Sequence, residues 1–211
     1  MVSAELAQKL LQIKAIKLSP SEPFTWASGI KSPIYCDNRI TLSYPEIRTF
    51  VKIALSTLSE QLEDYDTVAG VATAGIAHGA LIADYIKKPF IYVRSKAKGH
   101  GRENLIEGDF SRAKKVLVVE DLISTGGSSI QAVEALRAEG IEVVGVIALF
   151  SYEFEKAKKN FEAANCPYLT VSGYSTMLTQ AKKTNYITDE EYATLQDWSK
   201  DPSGWFDMNF K

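Results

Sequence analysis

Val116-Leu117-Val118-Val119-Glu120-Asp121-Leu122-Ile123-Ser124-Thr125-Gly126-Gly127-Ser128 is the stretch that decides the fold. Four apolar residues, three of them β-branched, read as a buried strand over 116–119, and two adjacent acids stand at its carboxyl end. A short run of hydroxyl residues and glycines then leads into a helix expected over 129–139 and stopped by Gly140. Glycines let backbone N–H groups crowd around an anion, and the start of a helix adds partial positive charge. Ser124, Thr125 and Ser128 contribute further donors, so the loop suits a phosphate monoester. Ionised carboxylates only accept hydrogen bonds, which suits Glu120 and Asp121 to sugar hydroxyls. Phosphate and vicinal hydroxyls side by side describe a ribose 5-phosphate. The loop has neither the lysine of GxxxxGKS/T nor the spacing of GxGxxG, which argues against a P-loop kinase and a dinucleotide dehydrogenase.

On either side of this stretch, short apolar runs alternate with helical patterns. Strands are expected over 67–72, 89–94, 141–150 and 168–171, with helices over 76–87 and 152–164. Alternation of this kind implies βαβ units, a parallel sheet, and ligands at the carboxyl ends of the strands. Toward the N-terminus, Leu6, Leu10 and Ile13 share one face of a helix over 4–14, and an extended stretch is expected over 24–35. Pro45 opens a further helix at a position that costs no intrahelical hydrogen bond. Toward the C-terminus, helices are expected over 174–183 and 189–198, the second opened by Thr188-Asp189-Glu190-Glu191, a capping-box pattern.

Composition bounds the function classes. The 211 residues suit a single domain, carry a net charge of −2, and are 45% hydrophobic and 24% charged. The acidic balance argues against a nucleic-acid partner that tracks phosphates. The longest apolar run, 143–150, is far short of the roughly 20 residues that span a bilayer, so no membrane association is expected. Cys36 and Cys166 have no metal-ligand spacing and read as reduced thiols in a cytoplasmic protein.

The strand, acid pair and Ser-Thr-Gly-Gly-Ser loop closely resemble the phosphoribosyl pyrophosphate (PRPP) motif of the type I phosphoribosyltransferase family. Two further segments resemble its orotate-using branch. Phe24-Thr25-Trp26-Ala27-Ser28-Gly29-Ile30-Lys31-Ser32-Pro33-Ile34-Tyr35 is similar to that branch's N-terminal hood. Tyr92-Val93-Arg94-Ser95-Lys96-Ala97-Lys98-Gly99-His100-Gly101 is similar to its catalytic loop. The resemblance implies an α/β fold with a mostly parallel central sheet flanked by helices. It implies one domain over 1–211, with a small hood mainly from 1–40, a core over about 45–172 and C-terminal helices over about 174–198. It also implies transfer of the phosphoribosyl group from PRPP to orotate, with Mg²⁺ carried in on PRPP and no protein metal site. The expected assembly is a homodimer with shared active sites.

By the same resemblance, Asp121, Lys98 and His100 are the expected catalytic residues. Arg94, Lys98, His100, Glu120, Asp121, Leu122, Ile123, Ser124, Thr125, Gly126, Gly127 and Ser128 are expected to bind PRPP, and Ser124 and Tyr35 orotate. Residues 95–109 form a long polar connection in which Lys96, Lys98, His100 and Arg102 can converge on a pyrophosphate. Ala72-Thr73-Ala74-Gly75 resembles the family's pyrophosphate loop, and His78 just beyond it reads as a structural histidine. Longer family members carry lysines where Ala27, Ala74 and Ser95 stand, and an arginine near 150–152 where none is found. The chain therefore resembles the shorter bacterial form, and Lys31 and Arg39 are the cations available for the orotate carboxylate. A phosphoribosyltransferase for another base, or a non-catalytic nucleic-acid-binding regulator on the same fold, are the alternatives.

Overall fold

The computed structural model describes residues 1–26, 29–95 and 105–210. The N-terminal part comprises α1 (Val2–Gln12), β1 (Ile16–Leu18), β2 (Phe24–Thr25), β3 (Lys31–Ser32), β4 (Ile34–Cys36), a 3₁₀ turn (Asn38–Ser43) and α2 (Pro45–Ser59). The central part follows with β5 (Thr67–Val71), α3 (Ala74–Ile86), β6 (Phe90–Val93), β7 (Ile106–Glu107), β8 (Lys115–Ile123), α4 (Gly127–Ala138) and β9 (Glu142–Ser151). The chain ends with α5 (Glu155–Ala163), β10 (Tyr168–Gly173), α6 (Tyr174–Lys183), α7 (Asp189–Lys200) and α8 (Trp205–Asn209).

Six strands form one sheet in the order β10-β9-β8-β5-β6-β7, parallel except for β7, which returns antiparallel along the β6 edge. The order turns back between β5 and β8: the chain builds outward to β6 and β7, then resumes on the other side. A doubly wound sheet opens its ligand crevice at such a switch point.

Over 116–119 the side chains of β8 alternate between the two sheet faces, as a pleated strand requires. Leu117 and Val119 join a core with α1, α2, α3, α6 and α7, while Val116 and Val118 join a second core with α4 and α5. Beyond Val119 the alternation is broken, with Leu122 packed on the first core and Ile123 in the second.

Four local expectations are corrected. The strand expected over 116–119 runs on to Ile123, so the acids lie inside it; β9 continues alongside to Ser151 and supplies ladder partners for Glu120, Leu122 and Ile123. The extended stretch over 24–35 is broken into the β2–β3 hairpin and β4, with the turn made at Gly29, whose φ of +86° an L side chain rarely adopts. The helix expected from 152 begins at Glu155, because Glu153 has a φ of 59° and Tyr152 is committed to an aromatic cluster. Two-residue β7 was not expected, as it exists only by pairing with β6.

Candidate active site

Glu120 hydrogen-bonds toward α4, while Asp121 beside it lies within electrostatic reach of Cys36, Asp37 and Arg39 on the hood side. Glu120 is buried, and its Oε2 accepts hydrogen bonds from Ser128 Oγ at 3.1 Å and Ser129 Oγ at 3.4 Å. Its Oε1 accepts from the Asp121 backbone N–H at 3.0 Å. The Asp121 carbonyl accepts from Asn38 Nδ2 at 2.8 Å, so the 3₁₀ turn after the hood fastens the end of β8 from the other side.

A buried and a half-buried carboxylate this close repel one another as anions. Burial and the neighbouring Asp121 charge push Glu120 up to about 8, and burial raises Asp121 as well. At neutral pH the ligand-free pair therefore retains a proton. Glu120 in the unfolded chain titrates near 4.5, so between about 4.5 and about 8 the folded state binds more protons than the unfolded state. Stability contributed by this group falls as pH rises through that window and levels off above it. Glu120→Gln removes the titration. The wild type is expected to lose on the order of 4 kcal/mol relative to the variant between about pH 5 and pH 8.5. Thermal melts of both proteins across that range check this, and parallel curves would refute it.

The loop Ser124–Thr125–Gly126 follows. Gly126 has a φ of +80°, and an added Cβ would lie 2.7 Å from Phe161 Cε2, so only glycine fits. Asn160 Nδ2 of α5 donates to the Thr125 carbonyl at 2.9 Å and holds the loop from behind. The first N–H groups of α4 have no intrahelical partners, as at any helix start. Ser128, expected to serve a phosphate, has its hydroxyl on Glu120 here.

Across the switch point, the turn after β5 carries Ala72 to Gly75, and α3 presses tightly on β8 behind it. A Cβ on Gly75 would lie 2.4 Å from the Val119 carbonyl oxygen and 3.3 Å from Glu120 Cα. Inside α3, His78 is 1% exposed, and burial depresses its pKa to about 4, so it is a neutral ring in the core.

On the hood side, a cavity of about 430 Å³ is lined by Thr25, Trp26, Tyr35, Cys36, Leu122, Ser124 and Tyr152. Tyr35 is 39% exposed and approaches Phe24, with ring centroids 5.8 Å apart. Trp26 stacks on Tyr152 at 5.3 Å and donates Nε1 to the Ile34 carbonyl, which fixes the wall. Burial and the charge of Asp121 push the Cys36 thiol well above its ordinary range, so it is present as a thiol. The cavity mixes polar side chains with an aromatic wall made by the Trp26–Tyr152 stack. It suits a planar ring.

The expected site residues are thus partly brought together. Ser124 and Tyr35 share the cavity, and Leu122 joins them with its side chain. Ile123 is fully buried in the second core, and its carbonyl accepts from the Tyr152 N–H at 3.0 Å. Arg94 lies near the sheet edge, its Nη1 3.4 Å from Glu107 Oε1, and its N–H donates to the Leu105 carbonyl at 2.8 Å. Lys96, Lys98, His100 and Arg102 lie outside the described residues, as do Ala27 and Ser28. Asn38, Ser129, Asn160, Trp26 and Tyr152 were missed. Their roles depend on partners far away in sequence, and only the unbroken aromatic spacing around 150–154 hinted at one of them.

The acid pair, the glycine-bearing loop at a helix start and the aromatic cavity at the switch point define a transferase that handles a phosphorylated sugar. The phosphoribosyl transferase domain family matches residues 46–175, and the chain belongs to it. It groups with the orotate phosphoribosyltransferases: it is 56% identical over 200 residues to the orotate phosphoribosyltransferase of Bacteroides thetaiotaomicron, covering 94% of each chain. Among solved structures it resembles the UMP synthase of Leishmania donovani, with a TM-score of 0.80 and 28% identity, over 94% of this chain and 42% of that one. It also resembles Mycobacterium tuberculosis orotate phosphoribosyltransferase in complex with PRPP, with a TM-score of 0.65 and 26% identity, over 84% of this chain and 99% of that one.

Proposed function

We propose that this enzyme transfers the 5-phosphoribosyl group of PRPP to orotate, giving orotidine 5′-monophosphate and pyrophosphate in pyrimidine biosynthesis. The observation that supports the proposal is that β8 carries the acid pair directly into the glycine-bearing loop, with Leu122 and Ser124 on the wall of the aromatic cavity. A ribose seated there has its 5-phosphate on Ser124–Ser128, its hydroxyls at the acid pair, and its anomeric carbon facing a ring held between Tyr35 and Leu122.

Ring nitrogen of orotate forms the new bond to the anomeric carbon as the bond to the pyrophosphate oxygen breaks and its electron pair leaves with that oxygen. Positive charge develops on the ribose ring during the exchange. The protein contributes position and electrostatics, with no covalent intermediate. Hydroxyls of the ribose donate to Glu120 and Asp121, and this favours loss of the proton the ligand-free pair retains. Arg94, Lys98 and His100 supply positive charge for the departing pyrophosphate.

Among the described residues, no three His, Cys, Asp or Glu side chains converge as a metal cage. The half-buried Asp121 beside a buried, hydrogen-bonded Glu120 is a sparse donor set. It suits a Mg²⁺ that arrives on PRPP with most of its ligands from the diphosphate and water. When bound, the ion neutralises diphosphate charge. The whole chain acts as one phosphoribosyltransferase domain, its hood over the core, paired as a homodimer with shared sites. No described helix is long and apolar enough to cross a membrane, and the cytoplasm is the expected location.

The test follows the absorbance of orotate. Purified protein with PRPP and Mg²⁺ is expected to consume orotate, to stop with EDTA and to resume when Mg²⁺ is restored. Consumption of adenine or hypoxanthine in place of orotate would overturn the choice of base, and full turnover without a divalent ion would overturn the role given to the metal.

A further inference from the structure

Orotate carries a carboxylate, and the cavity that would receive it borders two acidic residues, Asp121 and Asp37. An anion enters such a place only if a cation meets it. Arg39 is taken, with Nε 2.6 Å from Asp37 Oδ1 and Nη2 2.8 Å from Asp37 Oδ2. Arg94 is paired with Glu107 at the sheet edge. Lys17 stands opposite Tyr35 in the β1–β4 ladder, and its charge acts on Asp37.

Lys31 differs from all of these. It faces Thr25 across the β2–β3 hairpin, and its Nζ donates to Thr25 Oγ1 at 2.7 Å. Thr25 is itself part of the cavity wall. The same ammonium lies 6.0 Å from the centre of the Phe206 ring, so the C-terminal α8 backs it from outside. It has no carboxylate partner among the described residues. Short strands fix the backbone beneath it, while its exposed side chain retains the freedom to turn from a hydroxyl to a stronger acceptor.

We infer that Lys31 is the residue that recognises the carboxylate of the base, exchanging its bond to Thr25 for a charge-assisted bond to the substrate. The inference rests on the orotate reading above and assigns a specificity determinant to it. Phe206 acts as a positioning residue, limiting how far the ammonium swings into solvent. Uracil, which has the same ring without the carboxylate, gains nothing from Lys31.

Steady-state kinetics in both directions test this. Orotate and orotidine 5′-monophosphate carry the carboxylate, whereas PRPP and pyrophosphate do not. Lys31→Ala is expected to raise KM for the first two by roughly tenfold or more and to leave KM for the other two within about twofold, the size of a lost hydrogen bond to a charged group. Lys31→Arg is expected to recover most of the loss, and Lys17→Ala to leave all four constants in place. An unchanged orotate KM in Lys31→Ala, or a rise shared equally by all four substrates, would overturn the inference. Failure of the wild type to consume orotate at all would instead overturn the reading on which it rests.

Discussion

Asp121→Asn is expected to lower kcat about 100-fold, close to 2.7 kcal/mol of barrier, with little change in folding. Asp121 lies near the end of β8 within electrostatic reach of Cys36, Asp37 and Arg39 on the hood side, while Glu120 hydrogen-bonds toward α4. Asn has the same shape as Asp, and the backbone contact at this position, Asn38 Nδ2 to the Asp121 carbonyl, involves no side-chain atom of residue 121. The variant also relieves the repulsion that raises Glu120, so its melting temperature is expected to hold or rise. What is lost is a negative charge facing the ribose as positive charge builds there. An interaction present chiefly in the transition state appears in kcat and kcat/KM together, with a smaller effect on KM. Rapid-quench measurement of the chemical step alongside thermal melts checks both halves. Unchanged turnover would remove Asp121 from the reaction centre, and a collapsed melt would make its role structural.

The centre of this site was legible in the sequence because its parts are neighbours in the chain. Strand, acid pair, loop and helix start occupy thirteen consecutive residues, 116–128, and each part acts through local backbone geometry. The same holds for Pro45 at the first turn of α2 and for the capping box, where Thr188 Oγ1 accepts from the Glu191 N–H at 3.2 Å and Thr188 N–H donates to Glu191 Oε2 at 2.8 Å. Such signals survive without any knowledge of the fold.

What the sequence did not disclose is held by distant partners. Asn38 reaches a carbonyl 83 residues away, and Asn160 reaches back 35 residues to Thr125. Neither asparagine has a local pattern that sets it apart from a surface residue. The hood was expected as one extended stretch because its residues favour strand. Its division into a two-residue hairpin and β4 depends on pairing with β1 and on a turn at Gly29. Composition carries neither fact. Tyr152 shows how a local pattern can mislead: it was assigned to a helix, yet it stacks on both Trp26 and Phe154 and meets the edge of Trp198. The base cavity is thereby tied to the C-terminal helices, a link made only by tertiary packing.

Gly75→Ala tests how closely α3 must approach β8 for the site to exist. In an exposed helix the substitution stabilises by up to about 1 kcal/mol, since alanine loses less backbone entropy than glycine. Here the new Cβ would lie 2.4 Å from the Val119 carbonyl oxygen, a backbone atom in the middle of the sheet that cannot rotate away. Gly70, facing Gly75 from β5, leaves no room on the other side, because its own Cβ would meet the Gly75 carbonyl at 2.8 Å. The helix must therefore lift, which opens the packing of Ile82 and Ala83 on the core and shifts the turn at Ala72 to Gly75 away from the acid pair. Overpacking of this kind costs about 1–3 kcal/mol, a fall of roughly 3–10 °C in Tm for a chain of this length. Gly127→Ala is the matched control: it lies in the first turn of α4, where the nearest atom to an added Cβ is Thr125 Oγ1 at 3.9 Å, and its Tm is expected to hold or rise. The difference between the two melts isolates the contact from the helix propensity common to both. If Gly75→Ala melts at or above the wild-type temperature, the close approach of α3 to Val119 is not what sets the spacing across the crevice.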